Sequence, residues 1–161
     1  MISVKKVILT PNPYRDKNFH TVRAALEVLK STGIEVKVCL PFDVERNYDL
    51  PKDIYFHRLD RELPGADCVI CFGGDGTILH MAKAATRQGV PILGVNIGTM
   101  GFMAELESTE LSQLARLATG EYTVDSRMML DVTVYRDRDI IFHDICLNDV
   151  VITKGAIARI V

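Results

Sequence analysis

The sequence predicts an α/β protein: a doubly wound, mainly parallel sheet with helices on both faces, followed by the start of a β-rich second domain. Three observations carry this. Short apolar runs rich in β-branched residues alternate with amphipathic helical stretches from the amino terminus to about residue 120. Two of those runs end in glycine clusters, as sheet strands do where they feed a ligand-binding loop. After Gly120 the apolar residues alternate with a period of two, with no helix between them.

The elements follow in order. VKKVILT (4–10) reads as a strand, closed by the turn formers of PNPYRDKN. Phe19, Val22, Leu26 and Leu29 recur at three- and four-residue spacing, which predicts a helix over 18–32 that ends at Gly33. IEVKVCL (34–40) is the second strand, so the chain opens with a β-α-β unit and a parallel pair. Between Pro41 and Pro64 the pattern weakens, and DIYFHRLDREL reads as a short helix or an irregular connection. DCVICF (67–72) is the third strand, TILHMAKAATRQ (77–88) the second helix and PILGVN (91–96) the fourth strand. Leu111, Leu114 and Leu117 mark a third helix, stopped by Gly120. Residues 1–120 are thus one α/β domain and 121–161 the beginning of a β-rich one. In the latter, Leu130, Val132 and Val134 alternate with polar neighbours, YRDRD turns the chain, and IIFHDICLNDVVIT returns as strand. AIARIV has no terminating signal, so the chain reads as cut inside a strand.

Composition narrows the function classes. A net charge of −2 supplies no general attraction to nucleic acid or to an anionic membrane. No apolar run approaches the roughly 20 residues of a membrane helix, and VILT is too short for a signal peptide, which predicts a cytoplasmic protein. Cys68 and Cys71 form a C-x-x-C without a second pair or spaced histidines. Like Cys39, they are expected to serve as small apolar core residues.

The first glycine cluster carries the chemistry. In CFGGDGTILH (71–80), Gly73, Gly74 and Gly76 lack a Cβ and let main-chain N–H groups approach a phosphate, beside a helix N-terminus. Asp75 in their midst repels phosphate unless a metal or a substrate hydroxyl intervenes, which points to phosphoryl transfer with Asp75 orienting a hydroxyl or holding Mg²⁺. The plainer alternative is a tight turn with Asp75 or Thr77 as helix cap. A second cluster, Asn96-Ile97-Gly98-Thr99-Met100-Gly101-Phe102, follows the next strand and lines the same cleft if the strands are neighbours. His80 shares a helical stripe with Lys83 and Arg87, so it is either a nucleotide contact or a solvated face. Asn148 and Asp149 read as a strand-end turn or as polar contacts to a base and a ribose.

G-G-D-G-T (73–77), N-x-G-x-x-G-F (96–102) and L-N-D-V-V (147–151), in that order, closely resemble bacterial-type NAD kinases. The first motif alone is shared with diacylglycerol and sphingosine kinases, and the second and third separate the families. The resemblance covers the amino-terminal half or so of a family member. It implies transfer of the terminal phosphoryl group of ATP, or of inorganic polyphosphate, to the adenosine 2′-hydroxyl of NAD, with Mg²⁺ and a homo-oligomeric enzyme. It further implies Asp75 as the catalytic residue and Asp75, Gly76, His80, Asn148, Asp149 and Arg159 as NAD contacts. Gly73, Gly74, Thr77, Asn96, Gly98, Gly101 and Phe102 fall in its nucleotide loops. A lipid kinase and a nucleotide-binding fragment without turnover are the alternatives; the absence of a basic amphipathic segment counts against the first.

Overall fold

In a computed structural model, which describes residues 3–98 and 101–152, the first apolar run forms β1 (Lys6–Pro11). A single 3₁₀ turn, Lys17–Phe19, leads into α1 (His20–Lys30). The buried Asp16 accepts the Thr21 and Val22 amides at 2.9 Å through its two carboxylate oxygens, satisfying donors that every helix start leaves open. Next come β2 (Glu35–Cys39), a short β3 (Phe56–His57) and a one-turn α2 (Leu59–Glu62). β4 (Cys68–Gly73) is buried along its whole length, and α3 (Asp75–Gln88) starts one residue after it. β5 (Ile92–Asn96) and β6 (Leu106–Glu107) complete a six-stranded sheet of order β3-β2-β1-β4-β5-β6, every pairing parallel.

Alternate residues of the central strands face opposite sides. On one side Val7, Leu9, Ile70, Phe72 and Val95 pack with Val22, Ala25 and Leu29 of α1 and with Leu111, Leu114 and Leu117. On the other side α3 lies over β4 and β5. The direction of the connections reverses between β1 and β4, and the carboxyl ends of such a pair form the usual crevice of doubly wound sheets.

Several boundaries differ from the expectation. The second helix starts at Asp75 rather than residue 77, because Gly74 in extended backbone (φ −110°, ψ −170°) is its N-cap. Gly74 is therefore the whole link between strand and helix. The Leu111–Leu117 segment is a 3₁₀ turn (Leu111–Ala115) followed by one α turn, α4 (Arg116–Thr119). Its leucines are spaced by three, which aligns them on a three-residue turn rather than on a 3.6-residue one. β6 was not expected: a two-residue strand carries no period to read.

Two compact units divide the chain between Asp125 and Ser126. In the second, β7 (Leu130–Arg136) and β8 (Asp139–Cys146) form an antiparallel hairpin with a register shift at Val134/Tyr135 and Asp137 at φ 57° in the turn. The expected strand 140–153 stops at Cys146. Asn148, with φ 77°, takes the chain out of the extended region, and Val151 and Ile152 are not in a strand.

Candidate active site

The carboxyl ends of β1, β4 and β5 lie level. Pro11 pairs with Phe72 and Gly73 with Asn96, the Asn12 amide donates to the Phe72 carbonyl at 2.8 Å, and the Ile97 amide donates to the Gly73 carbonyl at 3.0 Å. Three loops leave the sheet from this line and enclose a cleft of about 410 Å³. The β4 loop contributes Gly74, Asp75, Gly76, Thr77 and His80, the β5 loop Asn96, Ile97 and Gly101, and the β1 loop Asn12 and Arg15, with Phe42 beside them.

Asp75 joins two of these loops. Its Oδ1 accepts the amides of Phe102 and Met103 at 3.1 Å each, and its Oδ2 accepts the Phe102 amide at 3.2 Å. The carboxylate is no helix cap, since α3 has no side-chain cap bond. Gly101 makes this approach possible: a Cβ there would stand 2.8 Å from Asp75 Oδ1. Asn96 is buried, and its Nδ2 donates to both carboxylate oxygens of Glu107 at 3.2 and 3.1 Å. That fixes the amide, because a flipped Asn96 would set its oxygen against the carboxylate. Its Oδ1 has no partner among the described residues. Gly98 has φ 143°, a backbone that other residues rarely adopt.

Gly73 plays a different part from the one expected. It is buried and does not line the cleft; the space of its missing Cβ is filled by Thr77, whose Oγ1 accepts from Asn12 Nδ2 at 3.1 Å. The open glycines are Gly74 and Gly76, where an added Cβ meets nothing within 4 Å. Thr77 thus faces Asn12, and His80 turns to the cleft with its ring edge-on to Phe42 at 5.6 Å. Phe102 is 90% exposed, and neither it nor Gly98 lines the cleft. Sequence reasoning passed over Asn12, Arg15 and Phe42. The available signal was the position of PNPYRD at a strand carboxyl end.

Among the described residues no three His, Cys, Asp or Glu side chains gather as a metal cage. Burial pushes the Cys39, Cys68 and Cys71 thiols up to about 12, so they carry no thiolate near neutral pH and serve the core.

The model of the ATP-NAD kinase N-terminal domain matches residues 7–122, which contain this whole cleft. The chain belongs to the NAD kinase family. It is 37% identical over 156 residues to the NAD kinase of Acetivibrio thermocellus, covering 96% of this chain and 53% of that one. To the NAD kinase of Natranaerobius thermophilus it is 50% identical over 97 residues, 60% of this chain and 34% of the relative. The chain spans about half the length of the curated relatives it matches along most of its length. Yeast NADH kinase, solved in complex with NADH, superposes with a TM-score of 0.68 at 19% identity over 91% of this chain and 47% of its own, a likeness of fold. Of the remaining residues that resemble family NAD contacts, Asn148 and Asp149 are exposed at the end of the hairpin, with the Asp149 carbonyl 3.4 Å from Cys146 Sγ. Arg159 lies outside the described residues. No described helix of this NAD kinase family member is long and apolar enough to cross a membrane.

Proposed function

We propose that the native polypeptide carrying this chain is an NAD kinase, transferring the terminal phosphoryl group of ATP or inorganic polyphosphate to the adenosine 2′-hydroxyl of NAD to give NADP. One observation carries the reading within the family: the Asp75 carboxylate borders the cleft at the first turn of α3, held by the Phe102 and Met103 amides. An alcohol docked against Asp75 donates its O–H to the carboxylate and turns an oxygen lone pair toward the donor. As the new P–O bond forms, the bond to the leaving phosphate breaks, and the hydroxyl proton passes to Asp75 late. Carboxylates are weak bases toward alcohols, so alignment and charge neutralisation carry most of the rate.

The first amides of α3 have no intrahelical partner and face incoming phosphate oxygens with the helix dipole behind them. A divalent cation, Mg²⁺ on this reading, would supply further neutralisation when bound; among the described residues Asp75 is the one cleft-lining carboxylate, so donor phosphates and water would furnish most of its ligands. The hairpin from Leu130 starts a second, β-rich domain, and the enzyme works as a cytoplasmic homo-oligomer without nucleic-acid or membrane partners.

Mass-spectrometric product analysis of the native polypeptide given NAD, ATP and Mg²⁺ tests this: a dinucleotide heavier by one phosphate is expected. Phosphorylation of a diacylglycerol or sphingosine instead would replace the reading with the lipid kinase one. Gly74→Val is the matching probe of the phosphate loop. Valine tolerates the extended backbone at this position and its Cβ meets nothing within 4 Å, so the fold is expected to survive while the branched side chain enters the cleft. The donor KM is expected to rise by roughly tenfold at an unchanged melting temperature, in keeping with the loss of charge-assisted contacts. Unaltered donor kinetics in the folded variant would return the loop to a plain turn.

A further inference from the structure

We infer that Arg15 binds the phosphate groups of the phosphoryl donor, an assignment that rests on the phosphotransferase reading above. Four observations on the β1 loop lead there. The loop is closed by its own main-chain bonds: the Arg15 and Asp16 amides both donate to the Asn12 carbonyl at 3.0 and 2.9 Å, and the Lys17 amide donates to the Arg15 carbonyl at 3.1 Å. Asp16, beside it, is buried, with both oxygens engaged by the start of α1, so it forms no ion pair with its neighbour. The loop is also locked to the glycine loop, because Asn12 donates to Thr77 Oγ1 in the first turn of α3 and accepts the Tyr14 amide at 3.0 Å. Finally, the Arg15 side chain is exposed on the cleft and, among the described residues, its guanidinium has no hydrogen bond or ion pair.

Charge decides which substrate it serves. Of the described residues lining the cleft, Asp75 is the one acid and Arg15 the one permanent cation. The acceptor brings a neutral hydroxyl to Asp75 and needs no cation there. The donor brings a run of phosphates, which the Asp75 carboxylate repels and which the α3 amides alone offset weakly. A guanidinium carried on this hydrogen-bonded loop beside those amides pairs bidentately with phosphate oxygens, and its planar fork loses less freedom per hydrogen bond than an ammonium does.

The test uses the native polypeptide with Arg15→Ala and Arg15→Lys, and two readouts. In steady-state kinetics Arg15→Ala is expected to raise the donor KM by roughly tenfold to a hundredfold, the usual consequence of losing a hydrogen bond between charged groups. The NAD KM should stay within about twofold, and Arg15→Lys should recover part of the donor affinity without the bidentate geometry. In calorimetry with inorganic tripolyphosphate, which needs no turnover, binding to the unaltered protein is expected and should weaken by a similar factor in Arg15→Ala. A rise in NAD KM alone, or tripolyphosphate affinity within about twofold of the unaltered protein, overturns the assignment while NAD phosphorylation by the unaltered protein still stands. Arg15-dependent tripolyphosphate binding in a protein that phosphorylates no dinucleotide would retain the anion site and remove the NAD kinase reading.

Discussion

Asp75→Asn is expected to lower kcat by roughly two to four orders of magnitude, the usual contribution of a positioned acid or base, while NAD affinity changes far less. The geometry makes this substitution a clean one. Asparagine keeps the size of the side chain, and its remaining oxygen can still accept the Phe102 and Met103 amides now held by Oδ1. The β5 loop therefore stays in place, and what is lost is the negative charge and the ability to take the hydroxyl proton. Asp75→Ala removes the anchor as well, leaving two amides without their partner, and should add a loss of dinucleotide affinity to the loss of turnover. Steady-state kinetics of the two variants side by side separate chemistry from loop anchoring. A loss of turnover below about fivefold in Asp75→Asn would remove Asp75 from the catalytic role.

The main strand and helix rhythm of the first unit is legible because its longer elements show a period: β4 reads as one apolar run, and α3 keeps Ile78, Met81, Ala82 and Ala85 on one buried face. The two glycine loops were legible as a pair for the same reason, each following a clear strand. The β1 loop was not. Its residues are turn formers by composition, and nothing local distinguishes Asn12 or Arg15 from ordinary solvent-facing positions. They join the site through the pairing of β1 with β4, a contact between segments some sixty positions apart, shown by Pro11 against Phe72. Glu107 was silent for a related reason: it lies in a two-residue strand, and its role in orienting Asn96 depends on β6 pairing with β5. The leucines at 111, 114 and 117 suggest a third helix, and the segment is instead a 3₁₀ turn with one α turn after it, since three-residue spacing is compatible with both until the hydrogen bonds are known.

Gly94→Val is expected to destabilise the protein and slow turnover together, and the reason lies in where that glycine sits. It occupies the middle of β5, a strand interior, where glycine weakens a sheet unless another part of the chain comes close. Here two parts do. A Cβ at this position would stand 2.5 Å from Ile78 Cδ1 of α3 and 2.9 Å from the Ala104 Cα. The isoleucine tip can rotate away, but Ala104 is main chain and is tied to the same glycine: the Glu105 amide donates to the Gly94 carbonyl at 3.1 Å, and the Gly94 amide donates to Glu105 Oε2 at 2.7 Å. Valine must therefore push the β5 loop outward or β5 out of register. Overpacking of this kind costs about 1–3 kcal/mol, which lowers the melting temperature by several degrees in a protein of this size. The displaced segment also includes Met103 and Phe102, next along the chain from Ala104, whose amides hold Asp75. A shift of a fraction of an ångström there reaches the carboxylate directly, and turnover should fall by roughly tenfold or more, since misplacement by about 1 Å can cost a hundredfold. Gly94→Ala, with the Cβ and nothing beyond it, should show both effects in smaller measure. Thermal unfolding and kcat measured on the same preparations check the coupling: a valine variant that loses stability and keeps full turnover would mean that the β5 loop moves without Asp75, and that Asp75 is held by α3 alone.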